Sequence, residues 1–140
     1  MSITHGGHLI VVEGIEGSGK STQATLLYEH LQENKIPSVL AREPGDTQTG
    51  ETLRNALLHG EKILGMTELF LFSAARCEMI DKVIKPALVS GKIVVCDRFT
   101  ASTLAYQGYG RGISLEHVSY VNELSTQGLT PALGFLLDIS

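Results

Sequence analysis

Cysteine is scarce in this sequence, with Cys77 and Cys96 the only two. So few thiols exclude a disulfide framework. Both sit in apolar segments, which predicts buried free thiols in a reducing compartment. Long apolar runs are also missing. None approaches the roughly 18 residues that a spanning helix needs, so no membrane partner is expected. The start, MSITHGGHLI, lacks the basic-then-apolar order of a signal peptide. These features predict a cytoplasmic protein. Positive charge is not in excess: the formal net charge is −4, which argues against nucleic acid or an anionic membrane as a partner. The chain has no internal repeat, no low-complexity tract and no linker long enough to separate two domains.

What remains is enough for one domain with a hydrophobic core: 140 residues. His5 and His8 fall in a polar start that reads as a flexible leader over residues 1–8 rather than a metal site, because no other His or Cys clusters with them. The domain proper is expected over residues 9–140. HLIVVEG, stopping at Gly14, reads as a buried strand of the parallel kind. A helix is expected from Lys20 to about Asn34, with Ala24, Leu27 and Leu31 on one face. PSVLARE is a second strand, followed by a Pro44-Gly45-Asp46 loop. Thr49 or Gly50 starts a helix ending near Gly60. A long helix runs from Thr67 towards Ser90, with Leu69, Phe70, Ser73, Ala74, Cys77, Ile80 and Ile84 at helical spacing, and Pro86 should kink or end it. KIVVCD is a third strand, a helical stretch follows Arg98, Ser114 caps another helix, and ALGFLLDI is a fourth strand. Strands alternating with helices predict an α/β fold with a parallel sheet and right-handed crossovers.

Gly14-Ile15-Glu16-Gly17-Ser18-Gly19-Lys20-Ser21-Thr22 contains the full G-x-x-x-x-G-K-[ST] pattern, with a strand before it and a helix after it. Its glycines let successive backbone N–H groups turn onto one anion, and the helix N-terminus adds its positive end. Lys20 is placed to reach β- and γ-phosphates and Ser21 to hold Mg²⁺. This loop alone admits a GTPase, an ATPase motor or a small-molecule kinase. The D-x-x-G and N-K-x-D motifs of a GTPase are absent. The third strand ends instead in Asp97-Arg98. A carboxylate at that strand end can position Mg²⁺, directly or through water, and the neighbouring arginine can grip a phosphate bidentately. Two anion sites, one for ATP and one for an acceptor phosphate, point to phosphoryl transfer between nucleotides. Glu16 is odd on charge alone, since a carboxylate beside phosphate is repulsive unless it meets a hydroxyl or a metal.

Four stretches, GIEGSGKST at Gly14–Thr22, REPG at Arg42–Gly45, LFSAAR at Leu71–Arg76 and DRFTASTLAYQ at Asp97–Gln107, resemble the bacterial thymidylate kinase family. The last is the most specific, and together they cover nearly the whole chain. The resemblance implies a P-loop NTPase-type fold like that of nucleoside monophosphate kinases, and transfer of the γ-phosphoryl of ATP to dTMP with Mg²⁺. It implies that Phe72 stacks on the thymine ring and Arg76 reaches its O4. Arg98 would hold the dTMP phosphate, with Arg54 in support. Thr103 and Gln107 would meet the base edge, Tyr106 would close against the sugar, and Glu16 would accept from the 3′-hydroxyl. Glu43 would lie at the loop that approaches substrate and Mg²⁺. The main catalytic candidates are Lys20, Arg98 and Asp97. A homodimer is also implied. The alternatives are a kinase for another monophosphate and a non-catalytic nucleotide-binding module.

The chain departs from the family pattern in two places. Asp46 stands where bacterial members usually have glycine, and Asp can take a positive φ at some cost. The phosphate loop has no arginine among Ile15, Glu16, Gly17 and Ser18. Family members of that kind bring a catalytic arginine from a mobile lid that follows the fourth strand. The resemblance therefore predicts a truncated or partial kinase whose 140-residue form is weakly active or inactive.

Overall fold

The computed structural model describes residues 6–140. Residues 1–5 of the expected leader, His5 included, lie outside the described residues. His8 already belongs to the first strand, and the Gly7 N–H donates to Leu88 O.

Strands β1 (His8–Gly14), β2 (Ser38–Arg42), β3 (Ile93–Asp97) and β4 (Leu133–Leu137) form one parallel sheet in the order β2-β3-β1-β4. β1 and β3 are central, so both of their faces are covered and their sequences are nearly all apolar. On one face Leu9, Val11, Val94 and Cys96 pack against Met79, Ile80, Ile84 and Leu88. On the other, Val12 and Val95 pack against Ala24 and Leu31 of α1 (Lys20–Glu33). Val94, Val95 and Cys96 are completely buried. Each such aliphatic side chain contributes about 1.5–3 kcal/mol by leaving water. The register sets Val12 beside Asp97 and Ala41 beside Cys96. The carboxyl ends of β1, β2 and β3 are thereby level, and their following loops meet at one edge.

Helix α2 is Gln48–His59. It starts before the expected Thr49 or Gly50 because the Thr47 side chain caps it, accepting from the Gly50 N–H at 2.8 Å. Helix α3 is Gly65–Met79, and it continues through a π-turn at Ile80–Ile84 into α4, Lys85–Val89. Pro86 does not end the helix, which runs on to Val89. The Lys85 N–H reaches back to Ile80 O, so the turn has widened just before the residue that cannot donate. Helix α5, Thr100–Thr103, runs into a second π-turn, Leu104–Gly110, and α6 is Leu115–Thr126. Ser114 does occupy the N-cap of α6, but its hydroxyl makes no capping bond.

Both cysteines are free, yet only Cys96 is buried; Cys77 is exposed. The expected apolar stripe of α3 is in fact two stripes. Leu69, Ser73, Arg76 and Ile80 face inward, whereas Phe70, Ala74 and Cys77, at i, i+4 and i+7, share an exposed face. Among the described residues, no helix is long and apolar enough to cross a membrane.

Candidate active site

β1 ends at Gly14 and the chain wraps into α1. Gly17 and Gly19 take φ of +76° and +92°, a region closed to most side chains, and Gly19 is the residue before the first helical turn. A cavity of about 260 Å³ opens over this loop, lined by Glu16, Gly17, Gly19, Lys20, Ser21 and Thr22. Lys20 is buried and its Nζ donates to Ile15 O at 3.0 Å, so the ammonium is folded back over the loop. The Ser21 hydroxyl donates to Asp97 Oδ2 at 2.5 Å. The other carboxylate oxygen, Asp97 Oδ1, is buried with no hydrogen-bond partner among the described residues.

Arg98 follows Asp97 with φ of +73°, which for a long side chain is a strained conformation. Three contacts hold it there. Its N–H donates to Val12 O at 3.0 Å, and the Cys96 thiol donates to its carbonyl at 3.2 Å. Glu13, buried at the end of β1, accepts from the Phe99 N–H at 2.8 Å and from the Ser102 hydroxyl. The result aims the Arg98 guanidinium between two aromatic faces, 5.7 Å from the Phe72 centroid and 5.2 Å from that of Tyr106. A cavity of about 320 Å³ lies there, lined by Phe72, Arg98, Tyr106 and Gln107 together with Glu16, Glu68 and Arg111. Glu16 lines this cavity and also the one over the phosphate loop. The site therefore has two adjoining compartments, one of backbone amides and Lys20, the other of an arginine with flat aromatic walls.

The domain also holds a buried ion pair. Arg76 is 1 % exposed and Glu43 is 6 % exposed. Arg76 Nε and Nη2 donate to the two Glu43 oxygens at 2.6 and 2.7 Å, Nη2 also donates to Thr103 Oγ1 at 2.8 Å, and Nη1 donates to Asn122 Oδ1 at 2.8 Å. Burial pushes the Glu43 carboxyl up, against the opposing pull of Arg76. For Arg76 burial acts downward, but the charge and hydrogen bonds of Glu43 outweigh it and hold the guanidinium charged. This network ties the β2 loop, α3, α5 and α6 together.

A family model described as "Thymidylate kinase" matches residues 12–140. The chain belongs to the thymidylate kinase family. It is 53 % identical over 131 residues to the thymidylate kinase of Synechococcus sp. (strain JA-3-3Ab), covering 94 % of this chain and 64 % of that protein. It is 51 % identical over 131 residues to that of Kosmotoga olearia, covering 93 % and 63 %. The crystal structure of thymidylate kinase from Ehrlichia chaffeensis is similar at a TM-score of 0.90 and 43 % identity, over 96 % of this chain and 77 % of that one. The chain thus spans about 64 % of the length of such curated relatives.

Measured against the thymidylate kinase pattern, the structure brings Lys20, Ser21 and Asp97 together on the loop side, and Glu16, Phe72, Arg98, Tyr106 and Gln107 together on the other. Arg76, Glu43 and Thr103 are buried and bonded to one another, as a charge in that interior needs a partner. Arg54 donates to Pro44 O at 2.8 Å and so braces the loop beside the site. Asp46 does take the positive φ, +65°, and turns its side chain to use: Oδ2 accepts from the Arg42 N–H at 2.6 Å, while its own N–H donates to Glu51 Oε1 at 3.0 Å. Burial pushes its carboxyl up, and the hydrogen bond from Arg42 opposes that. The sequence reading missed Glu13 and Asn122. The signal for Glu13 was present, as a lone carboxylate inside an apolar strand.

Proposed function

We propose that this protein transfers the γ-phosphoryl group of ATP to dTMP, giving ADP and dTDP for dTTP synthesis. The observation that carries the reading is the single cleft in which a phosphate loop adjoins an arginine set between two aromatic faces. The loop amides and Lys20 hold the β- and γ-phosphates of ATP. To do so Lys20 releases Ile15 O, to which it donates in the free chain. Arg98 holds the dTMP phosphate, Phe72 and Tyr106 flank the nucleoside, and Glu16 accepts from the 3′-hydroxyl. A dTMP phosphate oxygen forms the new bond to the γ-phosphorus as the bond to ADP breaks. The attacking group is already an oxyanion, so no strong general base is needed, and alignment with charge neutralisation carries the rate.

The donors suit Mg²⁺: a hydroxyl, Ser21, touches a carboxylate whose second oxygen is buried and unpartnered. Ser21 and Asp97 would hold it, directly or through water, and the ion would supply positive charge against the phosphates. The test is an ATP-to-ADP assay with dTMP, dUMP, UMP, CMP and AMP as acceptors. A clear preference for dTMP supports the reading, and equal use of the panel overturns it.

We also infer a homodimer built on α3. Met66, Phe70, Ala74 and Cys77 leave one exposed apolar face on that helix, with Phe70 56 % exposed. The free thiols suit the reducing cytoplasm.

A further inference from the structure

Gln107 is 3 % exposed and lines the cavity that holds Phe72 and Arg98. A glutamine amide can present either a donor or an acceptor to a ligand, and the two are related by a flip. Here the flip is decided by a neighbour. Gln107 Nε2 donates to Glu68 Oε2 at 3.1 Å. Glu68 stands on the first turn of α3, and its Oε2 lies 3.6 Å from Arg111 Nε, with which it forms a salt bridge. Arg111 is itself held, donating through Nη2 to Ile63 O at 2.7 Å. A carboxylate paired with arginine offers only acceptors, so the NH₂ of Gln107 faces Glu68 and the carbonyl oxygen is left for the cavity. We propose that Glu68 is a positioning residue for base specificity. It locks Gln107 so that the site offers an acceptor to the base edge. This inference rests on the proposed acceptor being a pyrimidine monophosphate.

The chemistry then selects among pyrimidines. Thymine carries an N3–H that can donate to the Gln107 carbonyl. Cytosine carries a bare N3, which would place acceptor against acceptor and leave a buried group unpaired. The 5-methyl group does not enter, so dUMP and dTMP are treated alike by this device.

The test is binding of dTMP and dCMP, each titrated by calorimetry into the chain and into its Glu68→Gln and Glu68→Asp variants, with thermal unfolding of each. A neutral amide at position 68 can accept or donate, so it permits both orientations of Gln107. The Glu68→Gln variant should lower the dTMP-over-dCMP affinity ratio about tenfold, the change expected when one hydrogen bond stops favouring one base. The Glu68→Asp variant stays acceptor-only and should retain most of the ratio. A uniform loss of affinity for both nucleotides would mark a merely structural role and overturns the proposal. So does a Glu68→Gln ratio within about twofold of the parent, which is less than half of one hydrogen bond. A parent chain that binds neither nucleotide overturns the functional reading, and this inference with it.

Discussion

Replacing Arg76 with methionine tests the buried network most severely. The substitution keeps much of the apolar stem but removes the cation that touches Glu43, which is 6 % exposed and bonded to Arg76 through both oxygens. Thr103 Oγ1 and Asn122 Oδ1 lose their donor as well. Removing one partner of such a pair costs about 3–5 kcal/mol, chiefly from the stranded charge. In a chain of this size that lowers the unfolding midpoint by about 10–20 °C. The loss depends on pH in a defined direction. Burial already raises the Glu43 carboxyl, and without Arg76 only the weaker pull of the Arg98 charge opposes it. A carboxyl with a folded-state pKa above its unfolded value binds more protons when folded, so stability falls as pH rises through that interval. The variant should therefore lose less stability relative to the parent near about pH 5.5 than near pH 8. The double variant Glu43→Gln with Arg76→Met removes the stranded charge and should recover more than half of the loss. Urea unfolding at both pH values measures all of this. A cost below about 1 kcal/mol, the range of an exposed pair, or a cost that does not vary with pH, would refute the reasoning.

Three further outcomes follow from the same geometry. Glu13→Gln weakens the acceptor that holds Phe99 N–H and the Ser102 hydroxyl behind the strained Arg98; it should cost about 1–3 kcal/mol in urea unfolding and weaken dTMP binding more than ATP binding, as calorimetry can show. Asp46→Gly relieves a non-glycine φ of +65° but loses the 2.6 Å bond from Arg42 N–H; the two effects oppose, so the unfolding midpoint should move by less than about 5 °C. Phe70→Glu puts a charge on the exposed face of α3; if the proposed homodimer uses that face, sedimentation should show a dimer for the parent and a monomer for the variant, with the thermal midpoint of the monomer nearly unchanged.

The architecture was legible because it is local. β-branched runs, helical spacing and the glycine pattern each act over a few residues, and they placed every strand and the phosphate loop. Boundaries slipped where a side chain from outside the pattern intervened, as Thr47 does for α2. The helix passes Pro86 after a π-turn, and helical spacing carries no sign of that widening. Cys77 was assigned to the core because two interleaved stripes on one helix look like one wide stripe in sequence. The open half of the site was readable from motifs. The buried network was not. Arg76 meets Glu43 across 33 positions and Asn122 across 46, and nothing local announces such distant partners.

The account stands on dTMP being the phosphoryl acceptor at Arg98. Phosphorus NMR of a mixture of the protein, ATP, Mg²⁺ and dTMP reads that directly, because a transferred group appears as the β-phosphorus of dTDP. The account predicts dTDP and ADP in equal amounts, both lost in an Arg98→Ala variant. ADP with free phosphate and no dTDP, or dTDP formed equally well without Arg98, would contradict it.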